Sequence, residues 1–575
     1  MSAKVMTTAL CTLGLCRPRR MLPALMFLLS SLALSGVAVA ACPDAEHIGD
    51  VEITDLSQLV AISDVFRTIR GSLTIGGDGI ADLNGLACLE RVSEALKVVN
   101  APDLRALSLP RLSFIGGGLS LVDNAGLETV DLPSLSTLEE GDLTVRGNPA
   151  LRSIGLPRLA NTPGAMAVTG NAVLENLELS ALSTAPWGIA VEDNPVLRRL
   201  ELPALIQVGG NGLVLVGNQG LQAALLPELL DVDGVQLRVV GNDSLERLEL
   251  PQLRGTQEHV EVSGNPRLVE LLFPQLMRVG GHLRVARNVG LLRLALPVLN
   301  SVMQDLQVQD HGALSEFSAP ELSRVGRVVF RLDRNNALVS LFLPSLRHVE
   351  GDMEVTANRV LTEISLPSLT DVEGEVRVAQ NPVLPHLLIP GLQSIGRKLW
   401  LYENRDLSEL RMPRLERVGE LWVSELLPDS KLSSVLLPEL KTVDWSMWVK
   451  NNPVLEVLAL PKLSEVGEVL RIFENGKMPE LLLPELKTVG GELEVRGNKT
   501  LQRVRLPQLQ TLRGGLDVLS NPALLEFSVP QLRVVSWTLW IRKNPSLSTR
   551  AILPLEARTQ GSFIACGNRG GEPCP

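Results

Sequence analysis

The sequence predicts an all-β fold, one long β-solenoid of about twenty Leu-rich rungs of 23–25 residues with disulfide-stapled ends. Three observations carry that prediction: a Leu-Pro pair recurring every 23–25 residues, an Asn column at nearly the same interval, and a short alternating apolar segment ahead of each Asn. Composition agrees. The chain is 45% hydrophobic but only 3% aromatic, with 37 Pro and 48 Gly in 575 residues, so its core must be Leu and Val rather than rings.

Residues 1–41 read as a separate leader. Lys4, Arg17, Arg19 and Arg20 precede an apolar run from Met21 to Ala40 that ends in the small residues Ala38-Val39-Ala40, the layout of a signal peptide. No later apolar stretch is long enough to span a membrane, because charges and Pro interrupt every repeat. Removing the four leader cations takes the formal charge from -10 to -14, which argues against a nucleic-acid partner. The remainder divides into an N-terminal cap with the first rungs (42–90), a continuous repeat region (91–555) and a C-terminal cap (556–575).

Four cysteines follow the leader, two near each end and none in the long middle. Solenoid ends expose unpaired strand edges, and a disulfide there ties down the turns most prone to fray. Cys566 is expected to pair with Cys574, and Cys42 with Cys88. Val39-Ala40-Ala41-Cys42 also fits a bacterial lipobox, in which Cys42 would carry a lipid anchor and Cys88 would be left without a partner.

Leu-Pro pairs run from Pro110 to Pro554, with Ser180 filling one missing slot, and they count twenty rungs in register. One repeat reads Gly490-Gly491-Glu492-Leu493-Glu494-Val495-Arg496-Gly497-Asn498, then Leu501, Val504, Leu506-Pro507 and Leu509. Leu493 and Val495 face one way while Glu492, Glu494 and Arg496 face the other, the alternation of a half-buried strand. The Gly pair and the Asn mark corners. Leu-x-Leu-Pro forms a second, shorter strand that Pro ends by removing a donor. Stacked at ~4.8 Å per rung, twenty such units make a rod on the order of 100 Å long.

The Asn column (Asn100, Asn124, Asn148, Asn171, Asn194, Asn218, Asn242, Asn265, Asn288, and later Asn498, Asn521, Asn544 and Asn568) reads as an inward ladder whose side chains satisfy backbone groups at each turn. Asn242-Asp243-Ser244 and Asn498-Lys499-Thr500 match glycosylation sequons, but their place in that column argues against modification. The register departs from the pattern at His311, an Asn slot, and over Ser424–Lys431.

The repeat phrase Gly-Gly-x-Leu-x-Val-x-x-Asn, followed by Leu-x-Leu-Pro-x-Leu, resembles the receptor L-domain and its leucine-rich-repeat-like relatives among bacterial and fungal surface proteins. The resemblance covers residues 48–568 and includes the opening Gly49-Asp50-Val51-Glu52-Ile53 and Gly71-Ser72-Leu73-Thr74-Ile75. It implies an extracellular recognition or cell-surface role and names no ligand.

Nothing in the sequence calls for catalysis, a metal or a cofactor. The six His, at 47, 259, 282, 311, 348 and 386, show no metal-ligand spacing and no partner at a fixed offset. The carboxylates closest to a catalytic pair are Asp231 and Asp233, which read as solvated surface.

One feature rises above the repeat: five of the eight Trp and Tyr residues fall between 400 and 448. Trp400, Trp448 and Trp540 each sit four residues before the rung's Asn, between inward aliphatics, and so are expected to face outward, with Trp422 doing the same in the irregular rung. Trp400, Trp422 and Trp448 would form a ladder with Tyr402 beside it and Trp445 at the corner. Such a strip needs a covering. Three are open: the rings and long Arg or Lys stems themselves, a protein partner, or a glycan, for which Glu403, Asn404, Arg405 and Glu425 are candidate polar groups. The expected role is non-catalytic binding or scaffolding at the cell surface, with a purely structural rod as the rival and a polysaccharide-acting enzyme as a minor alternative.

Overall fold

The computed structural model describes residues 42–574, apart from Pro43, Asp64 and Leu426; the expected leader lies outside the described residues. Cys42 onward forms one unit, an all-β parallel solenoid of about 23 turns with 4% helix. Each typical rung carries three strands rather than the expected two. In the rung quoted above these are Thr488–Val489, Leu493–Arg496 and Arg503–Arg505, and each pairs in parallel with its equivalents one rung before and after. The two-residue strand is too short to leave a periodic signature, which is why alternation alone does not reveal it.

The twenty Leu-Pro slots, Ser180 among them, undercount the turns. Val51–Ile53 and Leu73–Ile75 at one end and Phe563–Cys566 at the other stack on the same sheet without a Leu-Pro of their own. The helices lie near the two ends. Leu56–Ala61 starts at Asp55, whose carboxylate accepts from the Gln58 N–H at 3.0 Å, and Thr549–Ile552 precedes a 3-10 turn over Leu553–Arg558.

Inside, Val489, Leu493, Val495, Leu501, Val504, Leu506 and Leu509 are all 0% exposed, and every rung repeats the arrangement. Burial works only between neighbours, so each rung is stabilised by the two it touches. Beside this apolar column runs the Asn ladder. Asn498 donates its backbone N–H to Asn521 Oδ1 at 3.0 Å and its Nδ2 to the Ile472 carbonyl at 2.9 Å, while its own Oδ1 accepts the Asn475 N–H at 3.0 Å. The same pattern links Asn148, Asn171, Asn194, Asn218, Asn242, Asn265 and Asn288, and later Asn521 and Asn544, and it serves the corner where strand pairing ends. Both sequon asparagines, Asn242 and Asn498, are fully buried in it.

Three ladder positions depart from Asn. Asn100 does not belong to the column: it occupies the left-handed corner slot at φ 52°, and the buried Ala101 takes the inward place, donating its N–H to Asn124 Oδ1. His311 is inward and interrupts the chain of bonds. Its ring faces the carbonyls of Asn288 and Val285 at 3.0 and 3.1 Å, and Asn335 Oδ1 is left without a partner. Burial pushes the His311 ring pKa down. In the irregular rung the slot is filled by Glu425.

Cys42 pairs with Cys88 and Cys566 with Cys574. A Cys42 sulfur bonded to Cys88 leaves no thiol for lipid attachment. Among the described residues no helix is long and apolar enough to cross a membrane.

Candidate functional site

The second residue of each four-residue strand points outward and stacks on its equivalent one rung away. In that column Arg377, Trp400, Trp422, Trp448 and Arg471 follow one another in register. The rings do not hold a uniform rung spacing, because they tilt: Trp400 and Trp422 meet edge to face at 6.1 Å between centroids, and Trp422 and Trp448 at 4.9 Å with planes 32° apart. Tyr402 lies 4.9 Å from Trp400, and Phe473 lies 6.3 Å from Trp448.

Cations close the stack at both ends and along its flanks. The Arg377 guanidinium carbon sits 4.6 Å from the Trp400 centroid, and that of Arg471 sits 4.4 Å from the Trp448 centroid. Lys398 Nζ lies 3.9 Å from Trp422, and Lys450 Nζ lies 4.8 Å from Trp422 and 5.2 Å from Trp448. Each contact adds roughly 0.5–1 kcal/mol at a surface site. The rings are half-buried as a result. Sequence reading found the tryptophans and Tyr402 and missed Phe473 and the cations, although Arg377 and Arg471 stand one repeat away from Trp400 and Trp448 and could have been aligned by that offset.

Trp540 and Trp445 stand apart from the stack. Three rungs bearing Arg471, Glu494 and Asp517 separate Trp540 from Trp448, and Trp540 Nε1 donates to Ser562 Oγ at 3.2 Å. Trp445 is 46% exposed at the corner between the two-residue and four-residue strands. Trp187 and Trp537 occupy the equivalent corner on other rungs, 60% and 69% exposed.

Of the four polar candidates beside the strip, only Glu403 borders it. Asn404 is fully buried in the ladder, because the inward slot follows the left-handed corner residue Glu403; Glu425 is buried in the same column without such a corner before it, and Arg405 turns to Asp406 and Asp429. A shallow cavity of about 260 Å³ is lined by Trp400, Tyr402, Glu403, Trp422, Ser424 and Lys450. A larger groove of about 1100 Å³ follows the adjacent corner from Leu427 and Pro428 to Gly567, floored by turn residues such as Pro453, Gly476, Pro522 and Pro545.

The titratable groups elsewhere on the rod are arranged by the same column logic. His259 and His282, one rung apart, stack with centroids 3.7 Å apart and planes 9° apart, which corrects the expectation that no His has a partner at a fixed offset. Burial first, and then the neighbouring His259, push the His282 pKa down. Burial and the like charge of Asp233 push the Asp231 carboxyl up. Glu494 and Asp517 face each other on adjacent rungs and are also raised by burial, but they pair with Arg471 and Arg542. Among the described residues no three ligating side chains come together to hold a metal ion.

No family model matches the chain, and no curated protein matches it either. Among solved structures it is similar to a leucine-rich repeat protein from Bacteroides ovatus, at 12% identity over 77% of this chain and 92% of that one with a TM-score of 0.23. It is also similar to the TLR13–ssRNA13 complex, at 15% identity over 86% and 81% with a TM-score of 0.16. A third likeness is to the Toll–Spatzle complex of Drosophila, at 11% identity over 91% and 84% with a TM-score of 0.16. All three scores are low, and the fold stands on the chain's own strand register: a parallel, Leu-filled solenoid, the architecture that the sequence resemblance implies.

Proposed function

We propose that the chain is a non-catalytic, exported binding scaffold that presents the face around Trp400, Trp422 and Trp448 to a protein or glycan partner at the cell surface. The observation that carries this reading is the concentration of aromatic rings and cations on three consecutive rungs, beside a cavity and a groove. Flat aromatics and Arg are the side chains that supply most of the energy at recognition surfaces. The leader layout and the paired cysteines support export to an oxidising compartment.

A second reading, the spacer rod, is favoured by one specific observation: Arg377 and Arg471 already cover the two ends of the stack. The test is the double substitution Trp400→Ala and Trp448→Ala in the full chain, assayed on protein and glycan arrays with circular dichroism as a folding control. A binder loses its captured partner while keeping its fold. A rod with no localised binding to lose, or turnover of a polysaccharide by the wild type, overturns the proposal.

A further inference from the structure

We infer that the cavity lined by Trp400, Tyr402, Glu403, Trp422, Ser424 and Lys450 takes an acidic sugar unit of a polysaccharide; this rests on the binding reading above and names its partner. At about 260 Å³ the cavity suits a single ring better than it suits the broad face of a folded protein. Its walls are indole faces, whose negative quadrupoles attract the slightly positive C–H face of a pyranose.

Charge decides between a neutral and an acidic sugar. Lys398 is matched by Glu420 at 3.7 Å, and Glu420 also accepts from Trp422 Nε1 at 2.7 Å. Glu403 accepts from Gln380 Nε2 at 3.0 Å, and Arg377 donates to the Tyr402 hydroxyl at 2.5 Å. Lys450 is the cation that lines the cavity; among the described residues it forms no ion pair, and its ammonium rests only against Trp422, Trp448 and Phe473.

The cavity is therefore polarised along its length, with Lys450 at one end and Glu403 at the other. Tyr402, Ser424 and Lys450 occupy one outward column on consecutive rungs, so Lys450 stands two rungs, roughly 10 Å, from the Tyr402–Glu403 end. The formal charge of -14 beyond the leader opposes a polyanion along the rod as a whole, so the match is local: a uronate laid across Trp422 would place its carboxylate against Lys450 and its hydroxyl donors toward the Glu403 carboxylate. A neutral sugar leaves Lys450 unmatched, and an acidic group at the opposite end meets Glu403.

The experiment is titration calorimetry of the full chain with polygalacturonate, alginate and hyaluronan oligosaccharides, and with methyl-esterified polygalacturonate as the neutral control. At least one uronate series should bind at least tenfold more tightly than the neutral control and weaken in 0.5 M salt. Lys450→Gln should bring its affinity down to that of the control while the circular dichroism spectrum stays that of the folded wild type. Equal affinity for acidic and neutral forms, both lost with Trp400→Ala, overturns the acidic-sugar assignment and leaves the scaffold reading intact. Binding of no oligosaccharide also overturns it; capture of a protein through the same Trp pair would then sustain the broader reading alone, and capture of nothing would sink both.

Discussion

The backbone N–H of Asn404 donates to the carboxylate of Glu425 at 2.8 Å, inside a column where an Asn amide oxygen otherwise accepts. Glu425 passes the chain on, donating its own N–H to Asn452 Oδ1 at 3.1 Å, but its second carboxylate oxygen is buried with no partner. An acid has thus been set where a neutral amide belongs, and burial pushes its pKa up from 4.5 to about 7.

A pH signature follows. The folded chain holds the Glu425 proton more tightly than the unfolded chain does, so stability falls as pH rises from 4.5 to about 7 and is flat beyond. The span is on the order of 3 kcal/mol. Glu425→Gln should abolish that slope and raise the denaturation midpoint at pH 8; thermal melts of both proteins at pH 5 and pH 8 decide it, and parallel slopes would contradict the assignment.

His311→Asn should stabilise the solenoid. The substitution restores an acceptor for the Asn288 N–H and a donor for the orphaned Asn335 Oδ1, a gain of about 1–2 kcal/mol. Urea denaturation compared with wild type measures it, and a lower midpoint would show that the ring's own contacts matter more.

Asn498→Ala should do the opposite. It strands the Asn475 N–H and the Ile472 carbonyl in the interior, at a cost of about 3 kcal/mol or more. Hydrogen exchange should report loosened protection in the rungs at 470–525. Expressed in a glycosylating host, the wild type should show no glycan mass at Asn242 or Asn498.

Cys88→Ser should weaken the first rungs while leaving the far end intact. Opening a loop whose cysteines lie 46 residues apart removes about 4 kcal/mol of denatured-state constraint. Limited proteolysis should then cut ahead of residue 100 before any site beyond residue 550.

Much of this molecule is legible in its text because each rung repeats the same physical problem. Leu493, Val495 and Asn498 announce their inward direction by returning one repeat later, and the terminal cysteines announce the caps. What escapes is whatever breaks or exceeds the repeat. Glu425 looks like a surface acid in a slipped register; only the path of the backbone shows it entering the ladder. Asn100 looks like the first ladder member until its left-handed corner shows that Ala101 holds the inward slot. The cations around Trp422 are scattered in sequence and become neighbours only once rungs are stacked, as do His259 and His282.

The three faces of the rod are not joined alike. The four-residue strands pair without interruption from Val51 to Cys566, whereas the three-residue strands fall into separate sheets, with no pairing between Arg247–Glu249 and Glu270–Leu272, or between Glu316–Ser318 and Ser340–Phe342. At Ser394–Tyr402 and Arg417–Ser424 the two-residue and four-residue strands fuse across the corner into single strands of nine and eight residues. Such a body is mechanically lopsided, like a spine with one unbroken ligament and a row of gaps behind it. Bending that opens the three-residue face at those gaps breaks no backbone pairing, whereas bending that opens the four-residue face has to break a ladder.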